Sequence, residues 1–126
     1  MARTTTVRRK SLPEATGVAA PAPVSARAGL IFAVTRSRGA AWDPELSLQQ
    51  QVGWSEHAQF MNQLEASGFV ILGGPLEDTP YTMLAVRAEN VMDVRSRLSA
   101  DPWEASRTLE TTRITAWTLA LGAGRI

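Results

Sequence analysis

The chain has 126 residues, a formal net charge of +1 and 44% apolar residues, enough for one domain with its own core and too little charge for a global attraction to nucleic acid or anionic lipid. It contains no cysteine and a single histidine, His57, which excludes disulfides, thiolate nucleophiles, iron–sulfur clusters and any multi-histidine metal site within one chain. No Asp-x-Asp-x-Asp spacing marks a calcium or magnesium loop, and neither GxxxxGKS/T nor GxGxxG occurs, so no metal and no cofactor is expected.

In chain order, residues 1–27 read as a disordered basic tail. Arg3, Arg8, Arg9 and Lys10 precede Pro13, Pro21 and Pro23 among Ala, Thr and Ser, a composition with too few large apolar groups to offset the entropy of ordering. The prolines and polar residues exclude a signal-peptide core, and no run approaches the roughly 20 apolar residues that span a bilayer. The expectation is a cytoplasmic protein without a membrane or nucleic-acid partner. A folded domain over 28–122 and a short tail over 123–126 account for the rest.

The domain opens on LIFAVT (Leu30 to Thr35), a continuous β-rich apolar run that reads as a buried strand. A polar loop follows through Gly39 and Asp43-Pro44. Ser47 is the expected N-cap of a helix reaching Ser67, stopped by Gly68, with Gly53 a weak point near its start. FVILGG (Phe69 to Gly74) and YTMLAVR (Tyr81 to Arg87) are the second and third strands. Asn90 with Asp93 resembles a capping box for a helix bearing Val91, Val94 and Leu98 on one face. The run Thr108 to Leu121 is the last strand. The order is βαββαβ, the ferredoxin-like α+β fold: a four-stranded antiparallel sheet with two helices on one face. Successive apolar residues such as Ile31, Phe32, Ala33 and Val34 ask for burial on both faces of the sheet, which predicts a homodimer packed sheet to sheet.

His57 falls on the apolar arc of its helix with Trp54, Met61 and Leu64. It is either a general base or acid, or a core histidine satisfied by one hydrogen bond. Asp101, before Pro102 and three residues ahead of Glu104, is either a helix N-cap with a capping-box partner or a group that orients His57. The four tryptophans, Trp42, Trp54, Trp103 and Trp117, either fill the core or line a pocket for a flat ligand. Gly73-Gly74-Pro75 is explained locally by turn geometry. No Gly-x-Ser-x-Gly elbow is present.

Taken together, W-x-x-H-x-x-F-M (Trp54 to Met61), the Gly68 stop, Gly74-Pro75-Leu76 and Asp101-Pro102-Trp103 resemble the YCII-related (YciI-like) family over roughly residues 29–120. That resemblance implies a dimeric α+β barrel of two ferredoxin-like subunits with a histidine–aspartate pair at a pocket, carried onto His57 and Asp101. Trp42, Trp54, Met61, Gly74, Pro75 and Trp103 are then the expected substrate contacts. Two features depart from the family pattern: the N-terminal tail, and a longer Arg36–Gln51 segment whose Trp42-Asp43-Pro44 is a candidate lid.

The implied activity is cofactor-independent acid–base chemistry of the lyase, isomerase or cyclase kind on a small aromatic or carbonyl-containing metabolite, with His57 as base and Asp101 orienting it. The alternatives are a non-catalytic small-molecule-binding or accessory dimeric module, and a tail that docks a partner onto an inert dimer.

Overall fold

A computed structural model describes residues 29–126; the expected disordered tail, 1–27, lies outside the described residues. The elements in order are β1 (Leu30–Arg38), a 3₁₀ turn (Leu48–Gln50), α1 (Trp54–Ala66), β2 (Val70–Pro75), β3 (Tyr81–Ala88), α2 (Val91–Leu98), α3 (Pro102–Ala105), β4 (Leu109–Ala116) and a closing 3₁₀ turn (Ala123–Arg125). The four strands form one antiparallel sheet in the order β2-β3-β1-β4. With one main helix after β1 and one after β3, this is the ferredoxin-like arrangement, with the one-turn α3 added before β4. Phe32–Ala116 form one compact unit. The described residues outside it, 29–31 and Trp117–Ile126, belong to a second, in which the Trp117 N–H donates to the Ile31 carbonyl at 2.8 Å.

Strand alternation sets the core. Phe32, Val34 and Arg36 of β1 are buried in turn, while the residues between them are half-buried. Leu84, Val86 and Ala88 of β3, Val94 and Leu98 of α2, and Phe69 and Val70 complete the apolar cluster, with Met61, Leu64 and Ile114 packed against it. A fully buried side chain of the Val, Leu or Phe class contributes about 1.5–3 kcal/mol. Among the described residues no helix is long and apolar enough to cross a membrane.

Three boundaries differ from the sequence expectation. The helix expected from Ser47 is split. Ser47 instead precedes the 3₁₀ turn, where its N–H donates to the Gln50 side chain at 2.9 Å. Gln51 then turns extended, and Gly53, at φ 83°, starts α1 from a left-handed conformation that L side chains rarely adopt. The last strand ends at Ala116 rather than Leu121, because Ala116 already pairs with Phe32 and β1 begins only at Leu30. β1 itself runs past Thr35 to Arg38, which pairs with Leu109. The Asn90 cap is as expected, its side chain accepting from the Asp93 N–H at 2.8 Å. The Asp93 carboxylate, however, accepts from Glu89 at 3.3 Å rather than from Asn90.

Where β1 ends, the Gly39 N–H donates to Thr108 at 2.9 Å and the Ala41 N–H to Arg107 at 3.0 Å, which fastens the start of the following loop to the approach of β4. A Cβ at Gly39 would lie 2.1 Å from the Arg107 carbonyl oxygen, so only glycine fits. Gly39→Ala is expected to destabilise the fold by about 1–3 kcal/mol in urea denaturation; an unchanged midpoint would show that this junction is slack.

Candidate functional site

The site is built around a carboxylate with no access to solvent. Asp101, 0% exposed, sits in the turn between α2 and α3. Its Oδ1 accepts the Trp103 backbone N–H at 2.8 Å, the expected helix cap with Pro102 at the first helical position. The same carboxylate meets His57 Nδ1, 2.9 Å from each oxygen, and Oδ2 receives Arg36 Nη2 at 2.8 Å. The cap and the histidine partner, alternatives on sequence grounds, are one group.

Arg36, 1% exposed, extends the network. Its Nη2 also reaches Glu104 at 3.1 Å, and Glu104 accepts from the Thr111 hydroxyl. Glu104 therefore serves Arg36 and Thr111, not the Asp101 capping box. A bulge in β4 helps: the register shifts at Thr35/Arg36, with Thr35 opposite Arg113 and Arg36 opposite Thr111, so Thr111 shares Arg36's side of the sheet. Arg36 carries no sequence motif, yet its core-facing position is legible in the alternation Phe32, Val34, Arg36.

Burial disfavours the Asp101 carboxylate and is the largest single influence on it. The hydrogen bonds from His57 and the Trp103 N–H and the charges of Arg36 and His57 together outweigh it, holding the carboxyl below its ordinary value. Asp101 is thus an acceptor only near neutral pH, so the His57 Nδ1 carries the proton. In the neutral imidazole, Nε2 is left with its lone pair.

His57 is 8% exposed. Its ring stacks on Trp103 at 3.9 Å between centroids and 8° between planes. Trp103 is fastened by its indole N–H to the Val52 carbonyl at 2.8 Å, and Trp54 and Trp42 pack against it with centroids at 5.9 and 6.1 Å. Backbone and side chain of the α1 start are therefore tied to α3, which fixes the ring between a carboxylate edge and an indole face.

His57 lines a cavity of about 550 Å³. Five of the six expected substrate contacts, Trp42, Trp54, Met61, Gly74 and Pro75, are on its wall. Trp103 is not: it is 1% exposed and backs the imidazole. Asp101 is likewise off the wall and reaches the cavity only through its bond to His57. Trp117 belongs to the terminal unit and is 47% exposed. Arg36, Arg38, Glu65 and Tyr81 also line the cavity, and no motif marks them.

The Trp42-Asp43-Pro44 segment is held over the cavity by Gln51. This buried side chain accepts the Asp43 N–H at 3.0 Å and donates to the Asp43 and Leu46 carbonyls at 2.7 and 3.1 Å. Arg38 lies over the Trp42 ring at 4.6 Å. Among the described residues no group of three or more His, Asp or Glu side chains is placed to hold a metal ion.

No protein-family model and no solved structure matches the chain. It is similar to HGPRTase-like protein 1 of Halalkalicoccus jeotgali, 34% identical over 76 residues, a match that covers 60% of this chain and 42% of that protein. The chain thus spans less than half the length of this curated relative, and the similarity leaves the dyad's chemistry to its own geometry.

Asp101→Ala leaves Arg36 buried beside Glu104 alone and is expected to cost about 3–5 kcal/mol. The pH dependence follows from the sign of the shift. A carboxyl lowered in the folded state contributes stability that is complete above its unfolded value, about pH 3.9, and is lost as the pH falls through the lower folded value. The urea midpoint of the wild type should therefore fall on acidification below about pH 4, and Asp101→Asn should show a shallower fall; equal slopes would remove Asp101 from the acid response.

Proposed function

We propose that this chain is a YCII-related domain acting as a cofactor-independent acid–base enzyme of the lyase, isomerase or cyclase kind, with His57 as the base. One observation carries the reading. A fully buried, ionised Asp101 occupies Nδ1 of the only histidine and leaves Nε2 as the free nitrogen of a ring that lines an aromatic-walled cavity.

The chemistry follows from that arrangement. Nε2 accepts a proton from a carbon next to a carbonyl, or from a phenol, and the bonding pair passes to the ligand as an enolate or phenolate. Arg36, Asp101 and the half-buried Glu104 together carry one net negative charge, so the imidazolium formed at His57 completes a balanced set. The Trp103 face beneath it adds a cation–π contact. The same proton is then delivered to another atom of the ligand, or the electron pair expels a leaving group, giving isomerisation or elimination. A small, flat aromatic or carbonyl compound suits walls formed by Trp42 and Trp54.

The homodimer belongs to the same proposal. On the sheet surface alternating with the core residues, Ala33, Thr35 and Met83 are small or apolar and half-buried. Leu72 of the edge strand β2, which also lines the cavity, is 62% exposed. A second copy would cover that surface.

A non-catalytic binding module is the second reading. It is favoured by the two bonds of Asp101 to Trp103 and Arg36, which give the carboxylate a structural duty whether or not His57 reacts. The two readings separate on proton exchange. In D₂O, the wild type should catalyse deuterium incorporation into a member of a panel of enolisable ketones and hydroxyaromatics, followed by proton NMR. His57→Gln should slow it about 10²- to 10⁴-fold while keeping the fold and the ligand affinity. Ligands that bind the wild type without exchange would give the binding module first place.

A further inference from the structure

The cavity is electrically uneven. Of the charged side chains on its wall, Arg36 is matched by Asp101 and Glu104. Arg38, two residues along the same face of β1, has neither an ion pair nor a side-chain hydrogen bond among the described residues. Its guanidinium instead lies over Trp42 at 4.6 Å, and its backbone N–H is tied to the Pro80 carbonyl at 3.3 Å. Trp42 packs edge-on against Trp103, which stacks on His57, so a run of aromatic contacts links this cation to the imidazole. The carboxylate on the wall, Glu65, is eight residues beyond His57 on α1, about 12 Å along the helix axis. The wall thus carries one cation without a counter-ion, set against an aromatic ring, and one carboxylate.

We propose that the cavity takes a flat aromatic acid, its carboxylate paired with Arg38 and its ring against Trp42 and Trp54, beside His57. This names the substrate class of the site and rests on the acid–base reading only for what His57 then does to the ligand. A guanidinium presents a planar fork that matches a carboxylate, and stacking on Trp42 restricts its rotamers before the ligand arrives, which lowers the ordering cost of binding. Charge that develops on the ligand when His57 removes a proton falls in the field of the same cation.

The test uses the full chain with 2-hydroxybenzoate and its uncharged counterpart 2-hydroxybenzamide, titrated while the ring signal of the single histidine is followed by NMR. The acid should bind about 10- to 100-fold more tightly than the amide in the wild type, and its binding should shift the His57 signal. In Arg38→Gln that preference should collapse toward parity, and Arg38→Lys should recover part of it. Circular dichroism checks that both variants stay folded, as the exposure of Arg38 leads one to expect. Equal affinities in the wild type, absence of saturable acid binding at millimolar concentration, a preference that survives Arg38→Gln, or binding that leaves the His57 signal unmoved would each overturn the proposal. Turnover plays no part in the readout. An acid that binds through Arg38 to a protein that exchanges no protons would remove the acid–base reading and leave this one standing.

Discussion

A carboxylate in a protein interior is tolerated when its oxygens are bonded to donors strong enough to replace water, and Asp101 meets that condition from three directions. The Trp103 N–H comes from its own helix turn, His57 Nδ1 from α1 and Arg36 Nη2 from β1. No two of these donors are on the same secondary-structure element. The bonds therefore hold sheet and helices in register at the point where the imidazole ring sits, and the ionised state that makes them possible also fixes which nitrogen of His57 is free. Packing and the placement of His57 draw on the same group.

The aromatic residues divide into two kinds by what they touch. Trp103 is sealed inside, with a stacked imidazole on its face and a carbonyl on its N–H, and acts as a rigid floor. Trp42 and Trp54 pack against that floor and present their remaining surface to the cavity. The loop that carries Trp42 is not left to find its own position: Gln51 satisfies three of its backbone groups from a buried place. A wall built in this way is largely formed before a ligand arrives, which favours recognition by shape over closure around the ligand.

Charge is distributed with similar economy. Arg36 spends its positive charge on Asp101 and Glu104 inside the protein, while Arg38, one alternation further along β1, keeps its own at the cavity. The two arginines differ by two residues and thus share a face of the strand. What separates their roles is depth: the first is buried and bonded to Glu104 of α3, and the second is exposed and meets Trp42 instead.

The order βαββαβ, the Gly68 stop of α1, the Asn90 cap and the apolar arc bearing His57 were all legible in the sequence, because each depends on periodicity or on the conformational preference of a few adjacent residues. The pairing of His57 with Asp101 entered through the resemblance of separated motifs, since nothing local relates residues 44 positions apart. Three things were decided only by the tertiary structure. The strength of α1's start lay with Gly53 rather than Ser47, because the Val52 carbonyl is claimed by Trp103. Trp103 became a floor instead of a wall because Pro102 turns α3 so that its indole lies against the imidazole. And Arg36 became the partner of a buried carboxylate because a strand residue on the core face has no water to turn to, and must find its counter-ion wherever the fold brings one.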